Sequence, residues 1–88
     1  MLAAGSAAEA GADVLLLEKG PALARKLRIS GKGRGNITNT ADMQRFVDAF
    51  GPNGKFLYGA FSRFFRDDLL ALLDRFGVAT KVERGGRV

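Results

Sequence analysis

Residues 1–20 read MLAAGSAAEAGADVLLLEKG, and the fold class turns on how this stretch is divided. Its first half is rich in alanine, the best helix former, and places small residues at 3, 4, 7 and 8, a stripe at helical spacing. Gly11 falls just past that pattern, where a left-handed residue without a Cβ suits a helix end. Residues 13–18, DVLLLE, then form a short continuous apolar run bounded by turn residues. A parallel strand buried on both faces reads this way. Gly20-Pro21 closes the run. Helix followed by buried strand predicts an α/β arrangement.

A buried strand needs a hydrogen-bonded neighbour, and the residues before the helix are too few to supply one. Met1 also stands where a Ser, Thr, Asp or Asn cap would normally satisfy the first free N–H groups. The chain is therefore expected to be a truncated fragment, lacking a first strand.

Further along, Met43, Phe46, Val47 and Phe50 recur at i, i+3, i+4 and i+7, with Thr40 and Asp42 in the capping region, which predicts an amphipathic helix over 42–50. Pro52 and Asn53 open a second helix whose shared face holds Phe56, Leu57, Ala60, Phe61 and Phe64. A third starts at Asp67 and Asp68, where carboxylates favour the positive dipole end, runs through the stripe Leu69, Leu72, Leu73 and Phe76, and stops at Gly77. Residues 78–88 alternate weakly around Gly85-Gly86 and read as a strand entering a two-residue turn. The phenylalanines, at helical spacing, are expected to be core, with Tyr58 and Phe65 off the buried face.

The chain has 88 residues, enough for one small domain. It is divided by character into a helix–strand–loop part over 1–40 and a helical part with the start of a hairpin over 41–88. Apolar residues are 47% and charged residues 26%, so composition argues neither for disorder nor for a membrane span. No apolar run exceeds five residues, and Glu9 interrupts the N-terminal segment, which lacks the basic start of a secretory signal. A cytosolic location is the default. The absence of cysteine and histidine removes disulfides, thiolate chemistry, the commonest metal ligand and the commonest general base. Zinc sites and Ser-His-Asp hydrolases are excluded. The net charge of +5, with nine of the fourteen cations arginine, suits an anionic partner such as phosphate or nucleic acid.

Two constellations carry chemistry. Glu18 stands where, in a dinucleotide-binding βαβ unit, an acid at the end of the second strand accepts hydrogen bonds from a ribose 2′-OH. An acceptor-only carboxylate can hold two hydroxyl donors. Equally, Glu18 reads as a strand-end charge in solvent. Residues 24–39, ARKLRISGKGRGNITN, alternate glycine with Lys32 and Arg34, so backbone N–H groups can converge on an anion while Arg25, Lys26 and Arg34 supply charge. Ser30, Asn36 and Thr38 add neutral hydrogen-bonding groups. The order of Gly, Lys and Ser does not match the phosphate loop of nucleoside triphosphatases. A flexible basic loop, or a patch on nucleic-acid phosphates, reads the same way.

Together, residues 15–39 resemble the aminoacetone-oxidase-like family of bacterial FAD-binding flavoproteins, a group of NAD(P)/FAD-dependent oxidoreductases. The most specific element is Arg25-Lys26-Leu27 followed by Ser30-Gly31-x-Gly33-Arg34-x-Asn36-x-Thr38-Asn39. The resemblance implies a partial Rossmann-like FAD-binding fold, without its first strand and glycine loop, followed by helices and the start of a β-hairpin. It implies a role for Glu18 on the adenosine ribose, with Lys19 beside it. Arg25, Lys26, Ser30, Gly31, Gly33, Arg34, Asn36 and Thr38 would lie along the pyrophosphate and flavin, and an unknown small molecule would be the substrate. Family members often carry Cys where this chain has Gly35. No residue presents itself as a catalytic acid or base. Because pyrophosphate affinity rests on the G-x-G-x-x-G loop, which these residues lack, the chain alone is expected to bind FAD weakly or not at all. The competing readings are a small basic nucleic-acid-binding module and a helical interaction domain.

Overall fold

A computed structural model describes all 88 residues. The chain divides into two compact units, Met1–Arg34 and Gly35–Val88.

In the first unit, helix α1 (Leu2–Glu9) forms where alanines dominate and ends as anticipated: Gly11 adopts φ +91° and its N–H donates to the Ala8 carbonyl at 3.0 Å. Residues 12–18 then run without helix, turn or bend. They are not a strand. The expected α/β fold is corrected here, because neither unit contains a sheet, and the only ladder-like pairings are two isolated antiparallel bridges, Asn39 with Arg87 and Glu83 with Arg87. The cause lies in the backbone. A strand is defined by hydrogen bonds to a neighbour, and no backbone–backbone bond reaches residues 13–18. Their apolar side chains are accordingly not buried: Leu15 is 83% and Leu17 82% exposed, against 38% for Val14 and 45% for Leu16. A second short helix, α2 (Arg25–Ile29), closes the unit before a 3-10 turn at Ser30–Gly33.

The second unit is built from helices. Helix α3 (Met43–Asp48) is capped by Asp42, whose Oδ1 accepts the Arg45 N–H at 2.8 Å. The helix expected to open at Pro52 is instead a 3-10 segment, Gly51–Leu57, that passes into α4 (Tyr58–Arg63). Three residues per turn in place of 3.6 shifts the phase of the side chains. Phe56, read as part of the shared face, is consequently 89% exposed. Gly54 is what allows the 3-10 segment to rest on the end of α3. It is buried, and a Cβ there would collide with the Val47 carbonyl and come within 3.2 Å of Val47 Cγ1. Val47, 2% exposed, is the one hydrophobic side chain that is fully buried.

Helix α5 (Arg66–Arg75) starts with the Phe65 N–H donating to Asp68 Oδ2 at 2.8 Å, so the acid in the first turn both caps and complements the dipole. It ends at Gly77, φ +73°, whose N–H donates to the Asp74 carbonyl at 2.8 Å. Phe76, placed in the stripe by periodicity, lies past the last helical turn. It is exposed beneath the Arg75 guanidinium, 4.9 Å from the ring centroid. Phe65 also departs from expectation, lying inside the aromatic cluster. Its ring meets Phe46 edge-on at 5.2 Å and Phe61 at 5.2 Å, and Phe46 meets Phe61 edge-on at 5.6 Å. Such pairs add about 0.5–1.5 kcal/mol each beyond area burial, which matters in a unit with so little fully buried surface.

The expected hairpin at 78–88 is likewise corrected. Gly85 (φ +76°) and Gly86 (φ +71°) do make a tight turn, with Gly86 N–H on the Glu83 carbonyl at 3.1 Å and Glu83 N–H on the Arg87 carbonyl at 2.7 Å. No ladder extends from that rung. The residues after the turn pair with 37–40 instead: Ile37 N–H donates to the Val88 carbonyl at 2.8 Å, Val88 N–H to the Thr38 carbonyl at 3.0 Å and Thr40 N–H to the Gly86 carbonyl at 2.8 Å. Asn39 completes the latch, its Nδ2 donating to the Gly85 carbonyl at 2.9 Å while its Oδ1 accepts the Ala41 N–H at 2.9 Å. No helix is long and apolar enough to cross a membrane.

Candidate functional site

In the first unit the charged residues singled out by sequence lie on short, exposed elements. Glu18 ends the unpaired apolar run, and its Oε1 accepts the Gly20 N–H at 2.7 Å. This bond folds the chain back at once, and a Cβ on Gly20 would stand 3.3 Å from the same oxygen. Lys19 is exposed within this bend. Arg25 and Lys26 occupy the start of α2, also exposed.

The backbone around α2 is unusual. Only two non-glycine residues of the chain have positive φ, Ala24 (+59°) and Lys32 (+58°), and both fall inside the glycine-rich basic stretch. A left-handed alanine or lysine costs on the order of 1 kcal/mol or more, and such outliers concentrate at functional sites. Ser30 is extended at φ −60°, ψ 143°, after which Gly31 (59°, 31°) and Lys32 (58°, 42°) are left-handed in succession. The Arg34 N–H donates to the Gly31 carbonyl at 3.2 Å and Gly33 follows at φ +86°. The result is a coiled loop that carries the Lys32 and Arg34 cations two residues apart.

Asn36 and Thr38 belong to the second unit, both half-buried. The Thr38 backbone is held by Val88, and its side chain lies on an open apolar groove of about 240 Å³ walled by Phe46, Phe50, Phe61, Phe64, Phe65 and Leu69. Arg66 stands at this groove with its guanidinium committed, Nη1 to the Ala41 carbonyl at 2.6 Å and Nε to Asp67 Oδ1 at 2.9 Å. Periodicity identified these phenylalanines, Phe65 apart, as core but not as groove walls. The latch from Gly85-Gly86 to Asn39 was also not legible. It joins residues 46 positions apart, and the only sequence signal was the glycine pair.

The donor set of the first unit fits the polar end of a dinucleotide. Glu18 offers an acceptor-only carboxylate suited to ribose hydroxyls, and the exposed cations with the left-handed loop suit a pyrophosphate. No buried residue in that unit encloses a flavin ring. A family model, that of the HI0933-like protein Rossmann domain, matches residues 1–88, the whole chain.

Proposed function

Since the chain belongs to the HI0933-like Rossmann-domain family, an FAD-binding oxidoreductase-type family, we propose that its first unit binds the adenosine ribose and pyrophosphate of FAD. Glu18 takes the ribose hydroxyls. Arg25, Lys26 and Arg34 neutralise the pyrophosphate while the backbone at Ser30, Gly31 and Gly33 approaches it, and Lys19 supports Glu18 from the same bend. Within the family, the order Arg25-Lys26-Leu27 and Ser30-Gly31-x-Gly33-Arg34 supports a place in the aminoacetone-oxidase-like branch.

The observation that carries this reading is that both left-handed non-glycine residues, Ala24 and Lys32, fall in the stretch that sequence chemistry marks as anion-binding. Strain of this kind is retained where a loop is shaped for a ligand. Bound FAD supplies two-electron redox chemistry at its ring, and the residues named here bind and orient.

Titrating the chain into FAD and following flavin fluorescence tests the proposal. Weak, salt-sensitive binding is expected, because the 88 residues contain no G-x-G-x-x-G to hold the pyrophosphate strongly. The double substitution Arg25→Glu/Lys26→Glu should weaken it by tenfold or more, in line with loss of charge-assisted bonds of about 1.5–3 kcal/mol. Unchanged fluorescence combined with steeply salt-dependent binding to single-stranded DNA would replace the flavin reading with the nucleic-acid one.

A further inference from the structure

Of the asparagines Asn36, Asn39 and Asn53, only Asn53 precedes a glycine. Attack by a backbone nitrogen on the asparagine side chain before it is hindered by a Cβ on the attacking residue, and most by a branched one. Asn36 precedes Ile37 and Asn39 precedes Thr40, both β-branched. Asn39 is further restrained, its Nδ2 on the Gly85 carbonyl and its Oδ1 on the Ala41 N–H, each at 2.9 Å. Asn53 is exposed, but Gly54 beside it is buried within the 3-10 segment, so close to α3 that a Cβ would strike the Val47 carbonyl. A 3-10 backbone, with ψ of about −20 to −30°, holds the Gly54 nitrogen out of line with the Asn53 side-chain carbon. Attack therefore requires the segment to leave its regular conformation. What holds it there is slight, because Val47 beneath it is the one fully buried hydrophobic side chain.

We propose that Asn53-Gly54 is a self-modification site: opening of the 3-10 segment from α3 admits deamidation, and the main product keeps the segment from closing again. The Gly54 nitrogen bonds to Asn53 Cγ, the Cγ–Nδ2 bond breaks, and ammonia leaves with the former Gly54 amide proton. Water then opens the five-membered imide. Addition at the residue 53 main-chain carbonyl leaves Gly54 attached through Cγ, an isoaspartate that lengthens the backbone by one methylene and frees a carboxylate. Addition at Cγ leaves an ordinary aspartate. The lengthened backbone meets the contact with Val47 where not even a Cβ fits. A change at an exposed side chain is thereby carried to the core of the second unit.

Ageing the full chain in mildly alkaline buffer, with and without denaturing urea, and mapping its peptides by mass spectrometry tests this. In urea, Asn53 should convert well ahead of Asn36 and Asn39. In the folded chain it should convert about ten- to a hundredfold more slowly, the ratio set by an opening of about 1.4–2.8 kcal/mol. Val47→Ala, which removes the buried side chain under Gly54, should recover most of the urea rate. The isoaspartate form purified from the aged sample should melt below Asn53→Asp, which carries the same charge on an ordinary backbone. Equal rates with and without urea, no folded-state product after roughly ten half-times of the urea reaction, a Val47→Ala rate no faster than wild type, or equal Tm for the isoaspartate and Asn53→Asp forms would each overturn the proposal.

Discussion

Replacing Gly54 with alanine is the sharpest probe of how the second unit is held. The added Cβ would collide with the Val47 carbonyl oxygen and press on Val47 Cγ1 at 3.2 Å. A backbone carbonyl cannot rotate away as a side chain can, so the 3-10 segment must lift from α3 and the one fully buried side chain, Val47, must open to water. Overpacking of this kind costs about 1–3 kcal/mol. Against it stands the gain from removing glycine from a helical segment, about 0.5–1 kcal/mol. The net expectation is a loss of about 1 kcal/mol, which for a domain of this size lowers Tm by roughly 4–8 °C. Gly59→Ala is the matched control, since Gly59 lies within α4 and a Cβ there meets nothing within 4 Å. It should raise Tm by a few degrees. Thermal melts of both variants followed by circular dichroism at 222 nm decide the matter. If Gly54→Ala melts at or above the Gly59→Ala temperature, the close crossing of α3 and the 3-10 segment is not what holds this unit.

Other changes address separate contacts. Gly86→Ala combines an unfavourable φ of +71° with a collision against Thr40 Oγ1, so the latch should open, and amide exchange at Ile37, Thr40 and Val88 should accelerate while exchange in α5 stays as before. Asp68→Ala removes the acceptor for the Phe65 N–H and should cost about 1 kcal/mol in urea unfolding, with Asp68→Asn costing less because an acceptor is retained. Phe61→Leu keeps most of the volume but removes two close ring contacts, to Phe46 and Phe65. A loss of about 1–2 kcal/mol is expected from the same urea assay, and no loss would show that the rings touch without mutual stabilisation.

Much of the helical architecture was legible because it depends on neighbours in sequence. The small-residue stripe, Gly11 after α1, Asp42 before α3, Asp68 in the first turn of α5 and Gly77 at its end all act within one or two turns. What periodicity could not show was where 3.6 residues per turn gives way to three. That change, at Gly51–Leu57, displaced Phe56 to solvent, and Phe65 entered the cluster from a capping position that no stripe includes. The strand expected at residues 13–18 illustrates a second limit. Its composition is that of a buried strand, yet strand structure is a property of pairs, and none of the 88 residues pairs with it. The turn at Gly85-Gly86 was correctly placed while its partner was not, because pairing with Ile37 and Thr40 spans the length of the unit. For the candidate site, sequence chemistry proposes Glu18 and the basic loop. The left-handed backbone at Ala24 and Lys32 was not visible, since neither residue type advertises it.

The cofactor proposal is tested most directly by titrating FAD into the isotopically labelled chain and recording amide chemical-shift changes residue by residue. The account predicts that the largest changes fall at Glu18 and over residues 30–34. Changes centred on the phenylalanine groove of the second unit, or none at saturating FAD, would contradict it.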